Sequence, residues 1–138
     1  MDFEKIIQIA ELAGDAILEI YNKSGNIRIE HKGDDSPLTE ADLAAHNIIV
    51  DELKKIDDTP IVSEEGNEGD PLSSDTCWLV DPLDGTKEFI KRNGMFTVNI
   101  ALMSRKKNRW TPIFGVVHAP VSKTTWSGGV IAPSERRG

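Results

Sequence analysis

Apolar residues recur every three or four positions along the first 21 residues, which is the spacing that places them on one face of an α-helix. This pattern predicts a helix that is capped by Asp2 and ends before Gly25. A second helix is predicted to start near Thr39, because Thr39 and Asp42 match a capping box in which Asp replaces the usual Glu. The apolar faces comprise Phe3, Ile6, Ile7, Ala10, Ala13, Gly14, Ile17, Ile20 and Tyr21 in the first helix, and Ala41, Ala45, Ile48, Ile49, Leu53 and Ile56 in the second.

Outside these helices, short apolar or alternating runs indicate strands. They lie at residues 27–32, 59–65, 77–80, 96–103, 113–118 and 124–127, and a short helix is predicted at 87–92. Two helices followed mainly by strands are typical of a layered α+β or mixed α/β domain. Residues 128–138 show no periodicity, so we expect an irregular tail there.

Composition narrows the class of protein. The 138 residues fit one domain, and 38% hydrophobic with 28% charged residues is typical of a globular chain. The net charge of −7 argues against binding to nucleic acid or anionic membranes. A basic leader and an apolar run of about 20 residues are both missing, which predicts a cytoplasmic protein without a transmembrane segment. The single cysteine, Cys77, excludes an intramolecular disulfide.

Carboxylates follow two of the predicted strands, in "IVSEE" and in "LVDPLD". If these strands are neighbours, Glu64, Asp81 and Asp84 converge, and crowded carboxylates repel one another unless a cation lies among them. Oxygen ligands of this kind suit Mg²⁺. The turn can also aim the carbonyl of Leu83 inward as a neutral ligand.

Beside these acids, Thr86 is predicted to begin the short helix, and Gly85 permits a positive φ. Backbone N–H groups at a helix start bind anions such as phosphate. An acidic site attracts phosphate once divalent ions are bound, and paired ions can activate water and stabilise a leaving oxygen. The sequence therefore favours metal-assisted chemistry on a phosphate ester.

Each signal also has a purely structural interpretation. Asp-Pro-x-Asp-Gly is a common turn, and Glu64 can be a solvated surface acid. From the residues alone, Asp42 is better explained as a helix cap. Cys77, Trp78 and Phe89 fit a core, and His31, His46 and His118 show no metal-ligand spacing. The acids at both strand ends together shift the balance toward metal.

"SEE" followed by "WLVDPLDGTKEFIKRNGMFTVNIAL" closely resembles the lithium-sensitive, magnesium-dependent phosphatase superfamily that includes inositol monophosphatase and fructose-1,6-bisphosphatase. Within it, "DPLDGTKEF" and "DDSPLTEADLAAH" are similar to the 3'(2'),5'-bisphosphate nucleotidase branch. The resemblance covers the chain from about Ile6 to about Trp126. It implies the first half of a layered αβαβα sandwich.

The resemblance also implies a reaction, in which the 3'-phosphate of adenosine 3',5'-bisphosphate is removed to give AMP and phosphate in sulfur metabolism. Two or more Mg²⁺ ions are implied, with inhibition by Li⁺, and some bacterial relatives are described as peripheral at the inner membrane. The metal ligands would be Glu64, Asp81, Leu83 through its carbonyl, and Asp84, with Asp81 bridging two ions. The catalytic residues would be Asp42, Thr86 and Glu64, and the substrate-binding residues Glu64, Leu83, Asp84, Gly85 and Thr86.

Members of this superfamily are usually about twice as long, and their second half supplies a further metal-binding aspartate and most of the nucleoside pocket. We therefore expect residues 1–138 to form a single N-terminal domain that lacks the C-terminal α/β half. An uncovered half-sheet would favour self-association. A noncatalytic metal-binding remnant and an inositol monophosphatase both remain alternatives. A haloacid-dehalogenase-type phosphatase fits less well. Its motif needs one residue between the two aspartates, whereas two residues lie between Asp81 and Asp84.

Overall fold

The computed structural model describes residues 2–23, 29–31 and 37–138. The helices are α1 (Phe3–Tyr21), α2 (Glu40–Ile56) and α3 (Thr86–Lys91), with a 3-10 turn at Pro71–Ser73. The strands are β1 (Ile29–His31), β2 (Pro37–Thr39), β3 (Ile61–Ser63), β4 (Thr76–Asp84), β5 (Thr97–Lys106), β6 (Arg109–Ala119), β7 (Thr124–Gly129) and β8 (Ala132–Arg137).

Within the described ranges the strands form two sheets. β1 and β2 make a small antiparallel pair, and the larger sheet has the order β3-β4-β5-β6-β7-β8. β3 is parallel to β4, whereas the remaining neighbours are antiparallel. Because parallel strands finish at the same edge of a sheet, the ends of β3 and β4 lie side by side.

The two long helices cover one face of the large sheet. Val80, Ile100 and Val116 point to that face and are at most 2% exposed. The opposite face carries Leu79 and Trp126, which are 46% and 42% exposed. The sheet therefore has one buried face and one open face. The largest fully buried side chains include Ile6, Ile9, Ile17, Ile49, Trp78, Phe89, Phe96 and Ile100.

The predicted starts of both long helices are confirmed. Asp2 accepts a hydrogen bond from the backbone N–H of Lys5, as an N-cap does. At α2 both halves of the capping box are present, since Thr39 accepts from the Asp42 N–H and Asp42 accepts from the Thr39 N–H. The first helix ends at Tyr21, before Gly25 as predicted, and Gly25 itself lies outside the described residues.

The predicted core residues are confirmed as well. Trp78 and Phe89 are fully buried, and Phe89 packs against Tyr21 and Phe96 with ring centroids 5.4 Å apart in both pairs. These contacts fix α3 to the rest of the molecule. Burial raises the pKa of the Cys77 thiol, which is the behaviour of a core residue rather than of a nucleophile.

Two predictions about strands are wrong. β4 does not stop at Val80 but continues to Asp84, because a shift of register against β5 between Asp81 and Asp84 accommodates the proline as a bulge. Residues 128–138 are not irregular, since β7 reaches Gly129 and β8 pairs with it over Ala132–Arg137. β8 carries mostly exposed polar side chains, so backbone pairing forms this strand without a hydrophobic pattern.

Candidate functional site

The parallel pairing of β3 and β4 brings two of the predicted acids to one surface. Ser63 lies opposite Val80, and the N–H of Glu64 donates to the carbonyl of Val80 at 3.1 Å. Glu64 lines a groove of about 330 Å³. Asp81, which follows Val80 in β4, lines the same groove. Leu79, Asn99, Ala101, Gly115 and Val117 line it too. Because Leu79 belongs to the open face of the sheet, the groove lies on the side away from the long helices.

Asp84 lies beyond the bulge and is linked to the same groove by Asn99. The Nδ2 of Asn99 donates to Asp84 Oδ2 at 3.1 Å, and the hydroxyl of Thr97 donates to Asn99 Oδ1 at 3.0 Å. The amide of Asn99 is thereby oriented between the two residues. The sequence analysis missed Asn99, although a lone polar residue in the apolar run "TVNIAL" was a usable signal.

A second group of polar residues surrounds Asp42, which is only 1% exposed. Its Oδ1 accepts a hydrogen bond from the Thr86 hydroxyl at 2.9 Å. Its Oδ2 accepts from the N–H and the hydroxyl of Thr39, at 2.8 and 2.6 Å. Three hydrogen bonds thus compensate for burying the carboxylate. Asp42 caps α2 and also binds a residue 44 positions away, so the two interpretations of this acid are compatible.

The turn before α3 explains how Thr86 reaches Asp42. Gly85 has φ of +95° and forms the N-cap of α3, with its carbonyl accepting from Phe89 N–H at 2.9 Å. A Cβ at this position would lie 3.0 Å from the carbonyl oxygen of Met95, so glycine is needed for conformation and for space. The hydroxyl of Thr86 also lies 3.3 Å from the carbonyl oxygen of Leu83. Leu83, Thr86 and Asp42 are consequently neighbours.

The predicted cluster of three carboxylates is not assembled as a metal cage. Within residues 2–23, 29–31 and 37–138, no three His, Cys, Asp or Glu side chains are grouped so that they could hold a metal ion. Glu64 and Asp81 share the groove, and Asp84 is linked to it through Asn99. The donors are nonetheless all oxygens, and Mg²⁺ often binds through one or two carboxylates while keeping several waters. The chemistry of the donor set therefore fits Mg²⁺.

His46 and Ser63 are further polar residues that the sequence analysis did not connect with the site. The Nδ1 of His46 lies 2.8 Å from Ser63 Oγ, directly before Glu64. The available signal was spacing, because residues 42 and 46 lie one helical turn apart on the same face of α2.

The sequence pattern of the inositol monophosphatase family matches residues 3–131. This chain belongs to the inositol monophosphatase family. The match extends over most of the chain and includes both groups of polar residues, and it confirms the resemblance seen in the sequence.

Individual relatives agree with that assignment. The 3'(2'),5'-bisphosphate nucleotidase CysQ of Escherichia coli (strain K12) is 48% identical over 127 residues, which are 90% of this chain and 50% of the relative. The structure of CysQ from Bacteroides thetaiotaomicron is 41% identical, with a TM-score of 0.78 over 98% of this chain and 48% of the other. The extragenic suppressor protein suhB from Bartonella henselae has a TM-score of 0.86 at 27% identity, over 98% of this chain and 51% of its own.

These comparisons confirm the predicted mixed α/β fold of the inositol monophosphatase type. The chain spans about half the length of the relatives it matches. Among the described residues, none of the helices is both long enough and apolar enough to cross a bilayer.

Proposed function

We propose that this chain belongs to a Mg²⁺-dependent phosphatase that hydrolyses the 3'-phosphate of adenosine 3',5'-bisphosphate to AMP and phosphate. The observation that carries the proposal is the hydrogen bond between Thr86 and the buried Asp42, at the turn that joins Asp84 at the end of β4 to α3. The 48% identity to a 3'(2'),5'-bisphosphate nucleotidase supports this substrate over an inositol phosphate.

Glu64, Asp81, Asp84 and the carbonyl of Leu83 are the residues that would hold two or more Mg²⁺ ions. Bound Mg²⁺ supplies the positive charge that draws phosphate to an acidic site and makes water a stronger nucleophile at neutral pH. Inhibition by Li⁺ belongs to the same proposal, as does a cytoplasmic role in recycling a by-product of sulfate assimilation.

The chain's own contribution to hydrolysis is to orient the attacking water. Thr86 donates its hydroxyl proton to Asp42, so the lone pairs of Oγ1 remain available to accept a hydrogen bond from water. Thr39 holds the other oxygen of Asp42, which prevents the carboxylate from turning away. Glu64, on the groove, offers a second acceptor for the water. A positioned acceptor of this kind contributes about 10² to 10⁴-fold to a rate.

The substrate phosphate would be bound by the same turn. Gly85 and Thr86 present backbone N–H groups at the beginning of α3, next to the carbonyl of Leu83. Because the net charge of the chain is −7, this binding requires divalent ions as partners of the phosphate.

Phosphate release from adenosine 3',5'-bisphosphate by the purified chain is the decisive measurement. We expect release with Mg²⁺, none with a chelator, and inhibition by Li⁺. Thr86→Val, which keeps the shape of the side chain but removes the hydroxyl, should lower kcat by about 10²-fold or more. Thr86→Ser is the matched control and should keep most of the rate. Asp84→Asn tests the metal ligands.

Several results would contradict the proposal. A folded chain that binds Mg²⁺ but releases no phosphate would be a noncatalytic metal-binding module. Faster release from inositol 1-phosphate would change the assigned substrate. Equal rates for Thr86→Val and the unmodified chain would remove Thr86 from the mechanism.

A further inference from the structure

We propose that His46 is a positioning residue for the acidic turn that follows β3. Through Ser63 it fixes the backbone on both sides of Glu64, and so it keeps the carboxylate of Glu64 directed to the groove. The importance of this for metal binding rests on the proposed function, in which Glu64 is a ligand.

His46 reaches the turn because of its place on α2. It lies one helical turn after Asp42, on the same face of the helix. Asp42 is bonded to Thr86 at the start of α3, and His46 Nδ1 lies 2.8 Å from Ser63 Oγ at the end of β3. One face of α2 therefore makes two polar contacts, one with Thr86 at the start of α3 and one with Ser63 directly before Glu64.

Ser63 is the centre of the turn and is only 8% exposed. Its Oγ accepts a hydrogen bond from the N–H of Glu65 at 3.3 Å. Its own N–H donates to Asn67 Oδ1 at 3.2 Å, and its carbonyl accepts from the N–H of Gly66 at 3.2 Å. Residues 65–67 thus fold back onto Ser63, and the position of the Ser63 side chain decides how well this turn is held.

The hydrogen bonds at Ser63 form a consistent chain. A serine hydroxyl has one proton to donate and can also accept. With the imidazole proton on Nε2, Nδ1 of His46 accepts the Ser63 proton while the Ser63 oxygen accepts the Glu65 N–H. Without His46 the hydroxyl can rotate, and the bond to Glu65 is weakened.

Glu64 needs such support because its side chain is exposed and lacks core packing to orient it. The backbone from Ser63 to Glu65 sets the direction of the Glu64 side chain. Hydrogen bonds of the Ser63 hydroxyl, N–H and carbonyl hold this backbone in place. The bond from Glu64 N–H to Val80 fixes the strand side of the turn. The contact of His46 with the Ser63 hydroxyl restrains the turn from the side of α2.

Amide hydrogen exchange of the purified chain, followed by NMR, tests this directly and needs neither metal nor activity. His46→Ala should raise the exchange rate of the Glu65 amide by about tenfold or more relative to amides in β5 and β6. His46→Asn places a side-chain oxygen near the position of Nδ1 and should restore most of the protection. Asn47→Ala, at an exposed neighbouring position on α2, is the control and should leave the Glu65 amide unchanged.

Ser63→Ala is the second variant, and it keeps the test valid if His46→Ala fails to fold. It should raise exchange at Glu65 at least as much as His46→Ala, because it removes the acceptor itself, and adding His46→Ala to it should cause no further increase, because His46 acts through Ser63. Mg²⁺ titration calorimetry should show weaker binding for both single variants.

Unchanged exchange at Glu65 in a folded His46→Ala variant would overturn the proposal whatever the result for Ser63→Ala, as would a loss of protection spread evenly over the sheet. Unchanged Mg²⁺ affinity, in a chain that binds Mg²⁺, would overturn the link to Glu64. A chain that binds no Mg²⁺ would instead count against the proposed function, while the exchange data would still decide the role of His46.

Discussion

Asp42 and Asp84 are both acids of the candidate site, yet their surroundings are opposite. Asp42 is 1% exposed and both of its oxygens accept hydrogen bonds, from Thr39 and from Thr86. Asp84 is exposed and accepts a hydrogen bond from Asn99 across the bulge of β4. One acid belongs to the folded interior, and the other faces solvent.

The difference separates two tasks. A buried polar network must be satisfied for the chain to fold, so its geometry is fixed before any ligand arrives. An exposed carboxylate stays hydrated and can exchange water for a cation. We therefore expect the stability of the fold to depend on Asp42, and metal binding to depend on Asp84.

Replacing Asp42 should have the largest effect on stability. Asp42→Ala leaves the Thr39 N–H, the Thr39 hydroxyl and the Thr86 hydroxyl without their acceptor in a buried site. We expect the free energy of unfolding to fall by about 3 kcal/mol, because each buried unpaired donor costs about 1–3 kcal/mol. Urea unfolding measures this. Asp42→Asn keeps one acceptor oxygen and should lose less, and a loss below about 1 kcal/mol in Asp42→Ala would show that water replaces the carboxylate.

Gly85, which follows Asp84 and precedes the Thr86 that binds Asp42, should be the next most sensitive position. Gly85→Ala adds a Cβ 3.0 Å from the Met95 carbonyl oxygen at φ of +95°, and we expect a loss of about 2 kcal/mol. Gly94→Ala is the matched control, since its φ is +77° but the nearest atom, on Val121, is 3.4 Å away. The control should cost only the conformational part, about 1 kcal/mol. Equal losses in the two variants would contradict the steric argument at Gly85.

The buried acid also shows what the sequence could reveal. The capping box of Thr39 and Asp42 was predictable because it depends on residues three positions apart. The bond from Asp42 to Thr86 spans 44 positions, and only the packing of α2 and α3 on the sheet creates it. From the residues alone, Asp42 was therefore an ordinary cap, and only the family resemblance gave it a second role.

The strands also differ in whether the sequence could predict them. β5 and β6 were visible because alternate residues face a hydrophobic core. β8 was missed because its pairing with β7 uses the backbone, which leaves no hydrophobic pattern in "APSERR". The sequence analysis could only assume that β3 and β4 are neighbours, because the pairing of strands that are far apart in the sequence leaves no local pattern.

His118 extends the comparison to a buried titratable group outside the site. It is 5% exposed, and its Nδ1 lies 2.7 Å from Thr125 Oγ1. Burial lowers its pKa below the usual 6.5; Glu11 and Asp15 oppose this shift, and Lys123 adds to it. The neutral imidazole is therefore the form that the folded chain favours.

The sign of the pH dependence follows from that shift. Stability from His118 is fully present above pH 6.5 and is lost as the pH falls through the lowered pKa, because the unfolded chain binds the proton more readily. The slope for one proton cannot exceed about 1.4 kcal/mol per pH unit. Urea unfolding between about pH 5 and pH 8 measures it. His118→Gln should flatten the dependence in this range, and an unchanged slope would assign it to other groups.

Replacing Asp84 should change stability least. Asp84→Ala removes an exposed side chain and the bond from Asn99, so we expect a change below about 0.5 kcal/mol in urea unfolding. Mg²⁺ affinity should nevertheless fall by more than about tenfold in titration calorimetry, since Asp84 is one of the ligands that we propose. Asp58→Ala removes another exposed acid elsewhere and controls for the change in net charge. If Asp84→Ala destabilised the chain as much as Asp42→Ala, or if it bound Mg²⁺ as tightly as Asp58→Ala, folding and metal binding would not be divided between the two acids.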